Sequence, residues 1–390
     1  MSRAHCRPSR FWFLVITLIP LGLIFIPDGY GQSPSRVVLE IPDIPGYLTL
    51  KCDFHVHTVF SDGLVWPTVR IEEAWRDGLD VLALTDHVEY QPHKEEIPPN
   101  PNRPYALAME DARMMGILLI RGAEITRDMP PGHLNAIFLE DIRPLIVSDY
   151  RKAVQAAVSQ GAFIFWNHPD FPGPAKQFVW NAEIEKLRAE GYLRGVEVAN
   201  GESYYPESQR WCLEKKLTMI GDSDTHNPIS MEYDLAGGGH RPMTLVFAEE
   251  RTLSSVKKAL IARRTAVYWK NQLIGEAQFL KPIFQASVEI LNPDIEIEGN
   301  AEALVRLRNR SDLPFELEPA GKGARPLKYS GLDLPPRKIG LMRVSTQVGA
   351  GGSANTVTLP FKVKNLLVGP DQGLLVELNL KVSFVQSKTK

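Results

Sequence analysis

Between about residue 50 and residue 275, short apolar runs alternate with longer segments in which apolar positions recur at helical spacing. The runs 50–54, 81–84, 117–120, 134–139, 162–166, 195–199, 217–220 and 243–247 are mostly bounded by Gly, Pro or polar residues, as buried strands are. Between them, 67–77, 105–115, 149–160 and 182–190 read as helices. Each ends just before a glycine (Gly78, Gly116, Gly161, Gly191), and Pro67 suits a first turn. This repetition predicts βα units around a mainly parallel sheet, whose functional residues collect at the carboxyl ends of the strands. Beyond residue 281 the helical spacing is lost. Runs at 284–290, 303–307, 340–344, 356–361 and 374–385, set apart by Pro, Asn and Gly, predict an all-β sandwich over 281–390. That region contains no histidine, so its expected role is packing, orientation or dimerisation, not chemistry.

The N-terminus follows a different rule. Arg3, Arg7 and Arg10 precede a charge-free apolar run over 11–27, and small residues follow at Gly29 and Gly31, which is the layout of a secretory signal peptide over 1–31. The run is also just long enough to span a bilayer, so an uncleaved membrane anchor stays open. Cleavage would leave 32–49 as a linker and a secreted or periplasmic protein with no stable membrane contact. In that compartment Cys52 and Cys212 either pair or remain buried thiols. With 390 residues, 44% of them apolar, the chain has material for two cores. A net charge of −2 argues against the basic surface that long nucleic acids require.

Candidate chemistry is concentrated where the apolar runs stop. The segments DFHVHTVFSDG (53–63), TDH (85–87), GAEI (122–125), GHLNAI (132–137), NHPD (167–170) and GDSDTH (221–226) hold six of the nine histidines. His55 and His57, two apart on a strand, turn to one side together with Asp53 and can bind one ion. Asp224 and His226 repeat that spacing, and His87 follows a further strand. Glu124 stands where a carboxylate can bridge two cations. A lone histidine or strand-end glutamate is usually an ordinary hydrogen-bonded group. Together, however, these residues predict a metal site assembled from many strand ends, and metal-assisted hydrolysis as its chemistry.

Taken in order, the motifs make 50–275 resemble the PHP (polymerase and histidinol phosphatase) domain family. With its β-rich tail the chain is similar to secreted PHP phosphodiesterases of the haloalkyl-phosphate-hydrolysing type. The resemblance implies a distorted (β/α)7 TIM-like barrel that binds two to three divalent ions. It further implies His55, His57, Glu124 and Asp224 around one ion, Glu124 with His133 and His168 around a second, and Asp62, His87 and His226 around a third. Asp62 stands where some members have histidine, which hardens that site towards manganese or iron. Since all these donors are nitrogen or oxygen, zinc, manganese and iron are each compatible.

The expected function is hydrolysis of small phosphate esters, diesters favoured and monoesters open, by attack of a metal-bound hydroxide on phosphorus. Three divalent ions against the carboxylates Asp62, Glu124 and Asp224 leave a cationic site suited to phosphate. Arg127, just beyond Glu124, and His240 with Arg241, after the glycines 237–239, are expected either to clamp a phosphate oxygen or to serve elsewhere in salt bridges. Asp170 and His168 are candidates for the leaving-group acid. The proline-rich segment 91–104 and Trp66, Trp166, Tyr204 and Tyr205 either line the mouth or pack. Three other readings stay open: an amidohydrolase-like C–N or lactone hydrolase, a metal-dependent exonuclease, and a catalytically silent binding protein. Homo-oligomerisation through the β domain is open as well.

Overall fold

The computed structural model describes residues 36–170, 179–235, 237–299, 301–320, 327–346 and 355–385. The expected signal peptide (1–31) lies outside the described residues, among which no helix is long and apolar enough to cross a membrane. The first region runs β1 (Leu48–Asp53), α1 (Pro67–Arg76), β2 (Val81–Leu84), α2 (Arg103–Met115), β3 (Leu118–Ile125), β4 (Leu134–Ile137), α3 (Tyr150–Ser159), β5 (Phe163–Trp166), α4 (Ala182–Ala189), β6 (Leu193–Asn200), β7 (Ser203–Tyr204), α5 (Pro206–Lys215), β8 (Thr218–Asp222), α6 (Ile229–Glu232), β9 (Met243–Ala248), α7 (Leu253–Ile261), β10 (Thr265–Trp269), β11 (Gln272–Gly275) and α8 (Ala277–Ser287).

Complete burial of β2, β4, β5 and β9 accounts for their unbroken apolar runs, because both faces of these strands are covered. Helix ends sit where capping groups allow: Asp149 accepts from the Arg151 N–H to start α3, and Gly116 ends α2 with φ 70°, a conformation that costs glycine least. The pairs β1–β2, β2–β3, β5–β6 and β6–β8 are parallel, and β4 is inserted antiparallel between β3 and β5. This is the distorted (β/α)7 barrel. Its wall closes through one bridge between the segments after β1 and β8, Val56 opposite Thr225, and not through a full ladder. His57 N donates to Thr225 O at 3.1 Å and Asp224 N to His55 O at 2.8 Å, so the seam is made by the residues that carry the expected ligands.

The second region adds β12 (Val288–Ile290), β13 (Asp294–Glu298), β14 (Glu302–Asn309), β15 (Phe315–Pro319), β16 (Leu327–Tyr329), β17 (Leu332–Leu334), β18 (Ile339–Thr346), β19 (Asn355–Gly369) and β20 (Gln372–Val385). One sheet is ordered β12-β14-β18-β16, and the other is built on β13-β20-β19 with β15 and β17 alongside. Together they form the all-β domain. The structure corrects two expectations about its borders. Residues 284–287 finish α8 instead of starting a strand, because Phe279, Leu280, Ile283 and Phe284 form the buried face of one amphipathic helix. Residues 36–49 are no free linker either, since Ile41 and Ile44 are buried in a core that also contains Phe247 and Leu280 from the barrel side and Phe315 and Phe361 from the sandwich.

The sheet itself crosses between the two regions. β9 runs antiparallel to β1, β10 and β11 extend it, and β11 pairs in parallel with β19, Leu273 opposite Leu366. Cys52 and Cys212 are free and buried in separate core clusters, and burial pushes both thiols up. A shared core and a shared sheet predict one cooperative melting transition for the whole chain by scanning calorimetry, and aggregation of a barrel cut off after residue 287. Two well-separated transitions would contradict this.

Candidate metal centre

Every expected ligand lies at one end of the barrel. His55 and His57 follow β1, His87 follows β2, Glu124 is the penultimate residue of β3, His168 follows β5, and Asp224 and His226 follow β8. His133 precedes β4, and the antiparallel direction of that strand is why its beginning reaches the end where its neighbours finish.

Glu124 is fully buried and addresses two sides. Its Oε2 lies 3.4 Å from His55 Nε2, 3.3 Å from His57 Nε2 and 2.9 Å from His87 Nδ1, while Oε1 lies 2.8 Å from His133 Nδ1 and 3.5 Å from His168 Nε2. Asp224 Oδ1 is 3.1 Å from both His55 Nε2 and His57 Nε2. Asp62 Oδ1 is 3.4 Å from His87 Nε2 and 3.3 Å from His226 Nε2. The buried oxygens Asp62 Oδ1, Glu124 Oε2 and Asp224 Oδ1 nevertheless lack a hydrogen-bond partner. His133 Nδ1 is hydrogen-bonded to Glu124 Oε1, but these three oxygens face shared centres with the surrounding imidazole nitrogens, and divalent cations fit that donor set. Among the described residues, four overlapping groups meet the spacing for an ion: His57, Asp62, His87 and His226; His55, His168 and Asp224; His55, His57 and Glu124; and His87, Glu124 and His133. Compared with the sets implied by the sequence, His57 also joins the third group and His87 reaches towards Glu124.

The electrostatics reflect imidazoles and carboxylates packed against one another with little solvent. Burial drives the His57 pKa down to about 3, and His87 and His226 add to that effect. Burial also disfavours the His87 cation, but Glu124 and Asp62 outweigh it and hold its pKa up at about 10. Glu124 itself is buried, yet His87 and His55 keep its carboxyl well below the usual range. His168 and Asp224 adopt left-handed backbone, φ 22° and 53°, which is strained for residues with a side chain.

Behind the donors stand residues that the sequence reading did not single out as functional. Glu197, buried on β6, takes His55 Nδ1 at 2.8 Å and the His168 N–H at 2.6 Å, which turns His55 Nε2 towards the centre. It also adds a carboxylate, so the site is less cationic than expected. The visible signal was a charged residue inside the apolar run GVEVA. Asn200 Nδ2 donates to Glu197 Oε2 at 2.9 Å and Asp224 Oδ2 at 3.3 Å. Asp86 of the TDH motif accepts from Thr58 N at 2.7 Å and Ser61 Oγ at 2.8 Å, fixing the turn that presents Asp62. Asp53, by contrast, was expected to turn to the same side as His55 and His57; it accepts instead from Ser223 Oγ at 2.5 Å and pairs with Arg241.

Of the two roles left open for Arg127, His240 and Arg241, the structure shows each engaged away from the donors. Arg127 pairs with Glu89 and donates to Val147 O at 2.8 Å, so the carboxylate and loop carbonyls behind it hold its guanidinium. Arg241 is fully buried between Asp77 (2.7 Å) and Asp53 (3.1 Å). His240 stacks on Tyr268 with centroids 4.0 Å apart, and its Nε2 accepts from Asn271 N. Among the aromatics, Trp166 is buried and stacks on Trp211 and Tyr204 bonds Gln209, whereas Trp66 is half exposed. Gln91, Pro101 and Pro104 do back onto His87, around a cavity of about 10 Å³ with room for a single water.

The chain is similar to several known proteins. A two-domain protein from Bacteroides vulgatus that contains a predicted PHP-like metal-dependent phosphoesterase is 45% identical, with a TM-score of 0.83 over 89% of this chain and 99% of that one. A candidate metal-dependent phosphoesterase from Bifidobacterium adolescentis is 17% identical over 45% of this chain and 87% of that one, with a TM-score of 0.38. An uncharacterized protein of Methanocaldococcus jannaschii is 33% identical over 84 residues, 21% of this chain, and the match spans only 36% of that relative. The family described as an Ig-like domain matches residues 288–379.

Two substitutions test the reassigned arginines. Arg127→Ala is expected to leave KM and kcat unchanged within error, and Arg241→Ala to cost about 3–5 kcal/mol of stability in denaturant titrations, because Asp53 and Asp77 lose their buried partner. A raised KM for folded Arg127→Ala would return that residue to the site.

Proposed function

Because the chain belongs to the family of PHP-like metal-dependent phosphoesterases, we propose that it hydrolyses small phosphate esters, diesters in preference to monoesters, with two to three zinc, manganese or iron ions held by the groups around Glu124. The observation that carries this reading is the trio of buried, partnerless oxygens on Asp62, Glu124 and Asp224, each surrounded by imidazoles. When bound, the ions would supply the positive charge that polarises phosphoryl oxygens and acidifies water. The chain's own residues hold that chemistry in place. Glu124 spans two donor groups, Glu197 fixes the ring orientations of His55 and the backbone of His168, and Asn200 steadies Asp224.

Preference for diesters is supported by charge. Arg70, Arg127 and Arg241, among the described arginines around the centre, are all committed to carbonyls or carboxylates. A monoester dianion therefore finds no help from these side chains for its additional charge, whereas a diester monoanion needs less. The near-neutral balance of the chain supports a compact substrate over long nucleic acid. The arginines and apolar run of the first 31 residues support a secreted or periplasmic location.

With residues 1–31 removed, the protein is expected to release p-nitrophenol from bis(p-nitrophenyl) phosphate with higher kcat/KM than from p-nitrophenyl phosphate. Chelation should abolish turnover, and added manganese or zinc should restore it. Glu124→Gln is expected to lower kcat by on the order of 100-fold. Turnover indifferent to chelation, or cleavage of amides and lactones with none of phosphate esters, would overturn the proposal.

A further inference from the structure

One side chain spans the seam where the barrel closes. Arg70, in the first turns of α1, is completely buried. Its Nε donates to His57 O at 2.9 Å, Nη1 to Asn227 O at 2.9 Å and Glu73 Oε2 at 2.7 Å, and Nη2 to Thr225 O at 3.2 Å and His226 O at 2.9 Å. That uses the whole donor set of a guanidinium. The accepting carbonyls belong to two loops, the one after β1 and the one after β8. Between them these loops supply three members of the His57, Asp62, His87 and His226 group. The His57 and His226 rings stack across the seam with centroids 4.2 Å apart and planes 19° from parallel. The first loop has little slack: a Cβ on Gly63 would sit 2.7 Å from the His57 carbonyl carbon, and Leu64 N donates to His226 O at 2.8 Å.

We propose that Arg70 is the positioning residue for the ion held by His57, Asp62, His87 and His226, setting the spacing of the two loops and hence the affinity of that subsite, without touching ion or substrate. The inference rests on the metal-dependent reading above. Lysine in its place keeps a charge beside Glu73, but three donors from one point cannot reach carbonyls on both loops. The seam would then be free to slide at His57 and His226, while Glu124, His133 and His168, on other strands, stay put and His55 and Asp224 remain held by Glu197 and Asn200.

The test counts ions and does not depend on turnover. Wild type and Arg70→Lys are stripped, reconstituted with manganese or zinc, and analysed for ions per chain by mass spectrometry, for dissociation constants by calorimetry, and for Tm. Arg70→Lys is expected to bind one ion about 10–100-fold more weakly, the range for groups that orient metal ligands, with the remaining ions and Tm little changed. His226→Ala should weaken the same ion, and the double variant should lose no further ion. Uptake identical to wild type, or equal weakening of every ion, would overturn the inference. If Arg70→Lys does not fold, Glu73→Gln, which removes the charge orienting Nη1, must show the same selective weakening, and unaffected binding there overturns the inference too. A wild-type protein that takes up no ion sinks the proposed function itself, which is a different result from a wild type that fills and an Arg70 variant that fills equally well.

Discussion

A carboxylate buried at the end of β3, with its two oxygens turned towards different imidazoles, is the constraint on which the rest of the site depends. Glu124 has no solvent to share its charge, and only Oε1 gains a side-chain amide, from Asn167 at 3.0 Å. Holding it there beside partnerless oxygens on Asp62 and Asp224 disfavours the ion-free protein, since buried polar groups without partners are costly. Left-handed backbone at His168 and Asp224 adds strain at the same end of the barrel. Cations that satisfy those oxygens return part of both costs, so ion binding and folding are coupled here.

Each imidazole is oriented through its other nitrogen or its neighbours. Glu197 holds His55, Thr126 Oγ1 approaches His87 Nδ1 at 2.5 Å, and the Asp224 carbonyl takes His226 Nδ1 at 2.7 Å. Below this layer lies a second set of charges, Asp53 and Asp77 around Arg241, closed off from solvent. The arginine nearest in sequence to the glycine run is therefore a foundation of the site. Its burial explains why proximity along the chain was a poor guide to its role.

Much of the fold was readable because two signals coincide in it. Apolar runs at 81–84 and 162–166 became β2 and β5 nearly residue for residue, since strands buried on both faces need no alternation. Ligand types then identified the barrel mouth. The supports were not readable, because their meaning lies in contacts far apart in sequence. Glu197 meets His55 across 142 positions and Arg70 meets Thr225 across 155, and neither residue type marks its purpose locally. The inversion of β4 was hidden for a related reason: GHLNAI reads as a strand in either direction, and only pairing with β3 and β5 fixes its sense. At 284–290 an apolar run mixed the last turn of a helix with the first strand of the sandwich, and length alone could not separate them.

The β domain, expected to take no part in chemistry, is tied to the metal centre by a short chain of polar contacts. Gln209 on α5 donates to Leu367 O of β19 at 3.1 Å and accepts from the Tyr204 hydroxyl at 2.5 Å. Trp269 Nε1, at the end of β10, donates to Gly201 O at 3.0 Å, and Gly201 N donates to Asp222 O at 3.1 Å. Asn200, next in line, holds Asp224 and Glu197. The turn after β6 is thus gripped from the side where β11 and β19 pair and, on its other side, steadies one ligand and the orienter of another. A sandwich without a single histidine therefore contributes to the geometry of a site built largely from them, which is a reason for the two regions to share one sheet and one core.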